Sequence, residues 1–410
     1  MSAKVNSRLR WAVIFAIIAI SSYSVGSPDW SWFSALPARA ENNFTAVAAR
    51  HGYRSEQHTV ATADGFLLTV FRIRRGQRCA GSVARAPVLL LSGLLLSAES
   101  WLAAGPAAGL AFLLPDACHD TWLGNARGGA HARRHRRLRP RDPAFWQFSA
   151  DEVGAYDAPA TVDYILNHTG RDKLNFIGYS QGGTAAFIML AERPEYANKL
   201  GVLLAIAPPT DLTYMTSAFG WLLKASEMLE GTLARIGVYE VFATGSVIQR
   251  LAEHFCRFRI IRDSLCRGFF ELVDSPHPGS IADETYETLY SHFPSGTSVR
   301  TMARYGQTLR SGKFRKYDFG ERGNLKKYGS AHPPEYELGA VTVPTVIVQG
   351  ASDTLVTVRD SERLVSRLPR AELCIIDDPL WNHFDVVYSH KINESLFPLI
   401  NQYLLKYNTR

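Results

Sequence analysis

No segment of this 410-residue chain is both apolar enough and long enough to cross a bilayer. The best candidate, Trp11 to Ile20, is about half of the roughly 18–20 residues that a hydrocarbon core demands. Low-complexity tracts and internal repeats are also missing. With only 31 Gly and 20 Pro, and with 46% hydrophobic and 20% charged residues, collagen-like, coiled-coil and extensively disordered chains are excluded. Charge of one sign is scarce. The formal balance is +7, and it falls near +4 once Lys4, Arg8 and Arg10 of the leading segment are set aside, so nucleic acid is not an expected partner. Cysteine is sparse as well. Cys79, Cys118, Cys256, Cys266 and Cys374 are odd in number, which leaves at least one thiol without an intrachain partner, and they form no metal-binding pattern.

What is present begins with a processing signal. Three cations, a short apolar run and then Ser21, Ser22, Ser24 and Gly26 follow the layout of a secretory signal peptide over residues 1–26, in preference to a membrane anchor. Cys256 and Cys266 enclose a short basic loop, and an oxidising lumen favours a disulfide between them. Sequons at Asn43, Asn167 and Asn393 suit the same compartment. Secretion is the leading expectation, with lysosomal delivery as the alternative.

Residues 27 to 50 are loosely patterned. His58 to Ala63 and Leu67 to Ile73 flank Asp64-Gly65, a strong hairpin signal. Short apolar runs then recur at Val88 to Leu91, Thr121 to Leu123, Leu174 to Ile177, Val202 to Ile206, Val343 to Val348 and Leu373 to Ile376. Helix-like stretches such as Asp151 to Asn167 and Gln181 to Glu192 separate several of them, so the spacing predicts an α/β domain with a mostly parallel sheet covered on both faces. Between about Pro208 and Tyr336 the strand runs stop and helix-like, aromatic sequence takes over, for example Leu212 to Leu233. The expected division is a core over 27–207 and 337–410, interrupted by a mainly helical cap over 208–336. That cap would sit at the carboxyl edge of the sheet, where open α/β sheets hold their ligands. The alternative is a helical unit placed elsewhere with no part in the site.

Gly178-Tyr179-Ser180-Gln181-Gly182 lies between a predicted strand and a predicted helix, the context of a nucleophile elbow that thrusts Ser180 Oγ above the sheet. A serine hydroxyl is a weak nucleophile and needs a base that is itself oriented by an acid. Asp353, beyond the run Val343 to Val348, is the acid candidate, and His383, beyond Leu373 to Ile376, is the base candidate. Asp360, Asp377, Asp378 and Asp385 are rivals for the acid role, but Asp360 falls in a predicted helix and the others share the loop region of His383. His254, His332 and His390 are rivals for the base, with His390 expected on the final helix. An oxyanion needs two N–H donors; Gln181, after the nucleophile, supplies one, and Leu94, in the turn Ser92-Gly93-Leu94, supplies the other.

The chain resembles the acid lipase family of the α/β-hydrolase fold, which includes gastric, lingual, lysosomal and secreted insect lipases. The resemblance is carried by TADGFLLTVFRI (62 to 73), TWLGNARG (121 to 128), FWQFSADEVGAYDAPATVDYIL (145 to 166), GYSQGG (178 to 183), SGKFRKYDFG (311 to 320), PPEY (333 to 336) and WNHFD (381 to 385). It implies hydrolysis of acylglycerols or sterol esters at a lipid–water interface, with Ser180, Asp353 and His383 matching the family triad. Leu94 and Gln181 match its oxyanion hole, and Cys256 and Cys266 fall where members carry a cap disulfide. No metal or organic cofactor is implied. Two departures stand out: Ser92 replaces a usual histidine, and so does Arg304. An altered substrate range or pH profile is expected from them.

Two features have competing readings. The Arg-dense stretch Arg127 to Arg141 is a solvated basic loop or a contact for anionic lipid head groups. Met215, Phe219, Trp221, Leu222 and Leu223 form helix core or the apolar face of a lid. For the whole chain the leading expectation is a secreted serine lipase or esterase. A catalytically silent lipid-binding protein and an acyltransferase using the same residues are the alternatives.

Overall fold

Strands buried on both faces must be apolar throughout, and the centre of this molecule follows that rule. The computed structural model describes residues 43–80 and 85–408; the leader expected over 1–26 lies outside them. β1 (Glu56–Ala61) and β2 (Phe66–Ile73) form the expected antiparallel hairpin, with Ala61 opposite Leu67. The remaining strands are β3 (Val88–Leu91), β4 (Thr121–Gly124), β5 (Arg134–His135), β6 (Leu174–Tyr179), β7 (Leu200–Ile206), β8 (Glu240–Val241), β9 (Thr297–Ser298), β10 (Thr345–Gln349) and β11 (Ala371–Ile375). The main sheet runs β1-β2-β4-β3-β6-β7-β10-β11, with β5 beside β2. It is parallel from β4 to β11.

β3, β6, β7 and β10 are buried along their whole length. Because side chains alternate across a strand, neighbours part company: Leu90, Ile177, Leu204 and Val348 enter one apolar cluster, while Leu89, Phe176, Leu203 and Ile347 enter another. Each such side chain contributes roughly 1.5–3 kcal/mol through burial. This two-sided burial is what reads in sequence as short, unbroken apolar runs.

The helix after Ser180, Gln181–Glu192, has the expected bounds. Asp151 to Asn167 does not form one regular helix. It is Ala150–Glu152, a widened π turn over Val153–Asp157, and Ala158–Thr169. Pro159 has no N–H to donate back to the preceding turn, and the backbone widens just ahead of it. In the inserted region the helix begins at Phe219 rather than Leu212, whose φ is +55°. Strand structure does not stop there altogether, because β8 and β9 pair antiparallel. Two residues apiece are too few to create a periodic signal. His390 lies in the turn before Ile392–Ser395 and not on the final helix, Phe397–Lys406.

Cys256 pairs with Cys266, and Cys79 pairs with Cys118 across 39 residues, leaving Cys374 as the free thiol. Asn43, Asn167 and Asn393 are all exposed. No helix among the described residues is long and apolar enough to cross a membrane.

The Arg-dense stretch is not a single solvated loop. Arg127 is buried beneath it, donating to Asp157 Oδ1 through Nε at 2.9 Å and Nη2 at 2.7 Å, and to Asp64 Oδ2 through Nη1 at 2.6 Å. Its guanidinium also lies 4.3 Å from the centroid of the Phe66 ring. Taking one partner from such a group strands a buried charge. Arg127→Met should therefore destabilise the protein by about 3–5 kcal/mol, measured by urea denaturation, with Asp157→Asn recovering part of the loss in the double variant. An unchanged midpoint for the single variant would contradict this account.

Candidate active site

The turn between β6 and the helix Gln181–Glu192 forces Ser180 to φ 51°, ψ −120°, a strained region for a residue with a side chain. Such strain costs on the order of 1–3 kcal/mol and persists only where the surroundings impose it. Here they do. Ser180 N–H donates to Ile206 O of β7 at 2.8 Å. A Cβ at position 182 would lie 2.0 Å from Leu91 O, so glycine alone lets the helix start against β3.

Ser180 Oγ lies 3.0 Å from His383 Nε2, and His383 Nδ1 lies 2.7 Å from Asp353 Oδ2. An ionised carboxylate only accepts, so the Nδ1–H points to Asp353 and the Nε2 lone pair faces the serine hydroxyl. Asp353 is held in turn by Leu355 N–H and Val356 N–H, at 2.9 and 2.8 Å from its Oδ1. All three side chains are buried. Burial disfavours the imidazolium, yet the charge and hydrogen bond of Asp353, with the charge of Asp274, outweigh it and raise the His383 pKa. Three of the four rival acids are engaged elsewhere, and the fourth, Asp377, is exposed. Asp360 caps its helix through Thr357, Asp385 accepts from His277 and Ser280, and Asp378 pairs with Lys391.

Leu94 lies in the loop after β3 and Gln181 opens the helix after the serine, and neither N–H is taken by another group among the described residues. Gly93 makes the approach feasible: a Cβ there would sit 3.0 Å from Ser180 Cβ. The segment after Leu94 is pinned. Ala98 N–H donates to Asn125 Oδ1 at 2.9 Å, Ser97 Oγ–H donates to Glu99 Oε2 at 2.6 Å, and His131 Nε2 lies 2.5 Å from Glu99 Oε1.

Asp274, from the inserted region, is a site residue that sequence reasoning missed. Its Oδ2 accepts from the backbone N–H of His383 at 2.5 Å, while its Oδ1 accepts from Thr354 N–H at 2.9 Å and from Thr354 Oγ1 at 2.7 Å. One carboxylate thus ties together the two loops that carry the imidazole and its acid. Ser275 adds a bond from its Oγ to Ser352 O at 2.5 Å, and Asn382 Nδ2 donates to Ser275 O at 2.7 Å. Burial, and then the adjacent Asp353 charge, push the Asp274 pKa up to about 6. Its only sequence signal was an acidic residue beside Ser-Pro, which has no spacing rule.

Above Ser180 lies a cavity of about 1210 Å³, larger than the roughly 300–1,000 Å³ typical of small-molecule sites and walled almost wholly by apolar side chains. Met215, Phe219, Trp221, Leu222 and Leu223 all contribute to its wall, with Leu223 buried and Trp221 57% exposed. Arg304 is not part of the wall. Its buried guanidinium donates to Asp151 Oδ1 at 3.1 Å, Thr308 Oγ1 at 3.1 Å and Arg315 O at 3.3 Å, fixing the helix Val299–Ser311 to the core while its neighbour Tyr305 lines the cavity. Ser92 is buried beside Gly93. Among the described residues, only Glu56, His58 and His168 bring three metal-ligating atoms together, at the β1 edge of the sheet. Arg72 Nη1 already donates to Glu56 Oε2 at 3.1 Å, which opposes a cation there.

Two family models match this chain: the partial alpha/beta-hydrolase lipase region over residues 44–105, and the alpha/beta hydrolase fold over residues 86–235. Gastric triacylglycerol lipase of Bos taurus is 35% identical over 352 residues, covering 85% of this chain and 88% of that protein. Lipase member K of Homo sapiens is 32% identical, with 89% and 92% covered. The lysosomal acid lipase/cholesteryl ester hydrolase of Macaca fascicularis is 29% identical, with 91% and 93% covered.

Two outcomes follow from these contacts. Removing the Asp274 charge should lower the His383 pKa, so Asp274→Asn and Asp274→Ala should move the acid limb of kcat to lower pH. The alanine variant should also lose about 10–100-fold in kcat with KM little changed, because the base is no longer held in place. A loss of stability with an unmoved acid limb would reduce Asp274 to a structural role. The second concerns stability. Burial opposes both charges of the Glu99–His131 pair, but their mutual attraction, helped at Glu99 by His292, takes Glu99 down to about 2 and raises His131 above its ordinary value. The contribution of His131 is complete below the ordinary imidazole pKa and is lost as pH rises through the folded value; that of Glu99 is lost only toward pH 2. Relative to His131→Gln, the wild type should therefore gain in unfolding temperature as pH falls from about 8.5 to about 5.5, and an equal pH dependence in both proteins would contradict this account.

Proposed function

The chain belongs to the acid lipase family of the α/β-hydrolase fold, and from that premise we propose that it is a serine lipase hydrolysing acylglycerols or sterol esters. The observation that carries this reading is the relay from Asp353 through His383 to Ser180, at 2.7 and 3.0 Å, opening onto an apolar cavity. Ser180 Oγ attacks the ester carbonyl carbon as its proton passes to His383 Nε2. The tetrahedral oxyanion is met by the N–H groups of Leu94 and Gln181. The C–O bond to the alcohol then breaks, and His383 returns the proton to the departing oxygen. Water, deprotonated by the same imidazole, attacks the acyl-enzyme and releases the fatty acid, while Asp353 keeps the ring oriented and stabilises its positive form.

The inserted region, 208–336, acts in this proposal as a cap whose apolar residues from Met215 to Leu223 hold the acyl chain and open at a lipid surface. The two disulfides and the exposed Asn43, Asn167 and Asn393 support passage through an oxidising lumen, with the leader over 1–26 removed and the protein then secreted. Delivery to the lysosome fits the same features.

Ser180→Ala should reduce hydrolysis of every ester by roughly 10⁴–10⁶-fold. For the wild type, kcat/KM should climb with acyl length, by up to about fourfold for each methylene the cavity buries. A titration of wild type and variant over an ester series checks both, and full activity in the alanine variant would end the proposed mechanism.

A further inference from the structure

Above the buried Arg127, the chain emerges into a loop with an unusual charge balance. Arg134, Arg136, Arg137, Arg139 and Arg141 are all exposed, and among the described residues none of them forms an ion pair. Nearby acids have other partners: Asp64 pairs with Arg127, Glu240 with Arg133, and Asp142 accepts from the backbone N–H of Arg139. Eight residues span at most about 28 Å, so these cations lie within a few Debye lengths of about 8 Å and repel one another.

The loop is nonetheless ordered by its backbone. His135 Nε2–H donates to Asp64 O at 2.9 Å while its Nδ1 accepts from the N–H groups of Arg137 and Leu138 at 3.0 and 3.1 Å. Trp146 Nε1–H donates to Pro140 O at 2.7 Å, and Arg136 N–H donates to Gly65 O at 2.9 Å. None of these bonds uses an arginine side chain beyond position 134, so the guanidiniums are presented and not consumed.

Sheet register places the loop. β3, β4 and β6 run parallel with Leu91 beside both Gly124 and Gly178, two residues short of Ser180. β2 runs the other way, with Phe71 opposite Leu123, so its start at Phe66 projects beyond the carboxyl ends of those strands, and there Phe66 pairs with His135. The unpaired cations therefore lie at the edge of the sheet from which Ser180 emerges.

We propose that the loop from Arg134 to Arg141 is an electrostatic docking element for anionic lipid surfaces, holding the protein with its ester-cleaving edge toward the lipid. The choice of a lipid surface over another polyanion rests on the proposed hydrolysis of lipid esters. An anionic surface supplies the counter-charge that the fold withholds, and clustered Arg of this number is enough to hold a protein there. The test is partitioning of the full chain onto phosphatidylcholine vesicles with and without phosphatidylserine, for the wild type and for Arg136→Gln/Arg137→Gln/Arg139→Gln/Arg141→Gln. The variant should bind the anionic vesicles at least about 20-fold more weakly, match the wild type on neutral ones, and cleave a water-soluble short-chain ester at the wild-type rate. Equal binding of both proteins to anionic vesicles would overturn the proposal. So would a wild type indifferent to phosphatidylserine that binds a sulfated polysaccharide through the same arginines. If no ester is cleaved but charge-dependent vesicle binding persists, the docking surface stands and the catalytic reading falls.

Discussion

A single unfavourable backbone conformation organises this molecule. Ser180 is held at positive φ by a hydrogen bond to β7 and by a glycine pressed against β3, so two neighbouring strands share the strain of one turn. The sheet can bear it because β3, β6 and β7 are buried on both faces and packed into two apolar layers. Loosening any of the three would let the turn relax and carry Oγ away from His383. Stability of the core and reactivity at its edge are thus one problem.

The second organising feature is the contact between the inserted region and the loops that follow β10 and β11. Asp274 and Ser275 meet Thr354, Ser352, His383 and Asn382 through backbone and side-chain bonds. The segment that carries Asp274 is thereby joined to His383 itself. Tyr179, next to Ser180, completes the enclosure by donating its hydroxyl proton to His383 O at 2.8 Å.

Local pattern made much of this legible. Five of the six apolar runs became strands because two-sided burial leaves a strong linear signature, the sixth became the half-exposed edge strand β11, and the G-x-S-x-G turn kept its strand and helix flanks. Chain order then sufficed to nominate Asp353 and His383, which the fold brings into hydrogen-bonding distance. Contacts between residues far apart in the chain left no such signature. The Cys79–Cys118 bridge, the Asp274 clamp, the two-residue pairing of β8 with β9 and the burial of Arg127 between Asp64 and Asp157 all depend on tertiary placement. Arg127 is the instructive case, because six arginines downstream hid one that points inward. The widened turn ahead of Pro159 had a local cause, yet helical periodicity on either side masked it.

The Asp274 bridge has a bearing on how such proteins diversify. A roof attached only at its hinges would be a detachable module, free to be traded between relatives to change which fatty chains fit beneath it. This segment carries a carboxylate that fastens His383. Under the proposed mechanism, grafting a foreign segment would therefore alter turnover along with selectivity, and lineages that remodel this region would inherit the two properties as a linked pair.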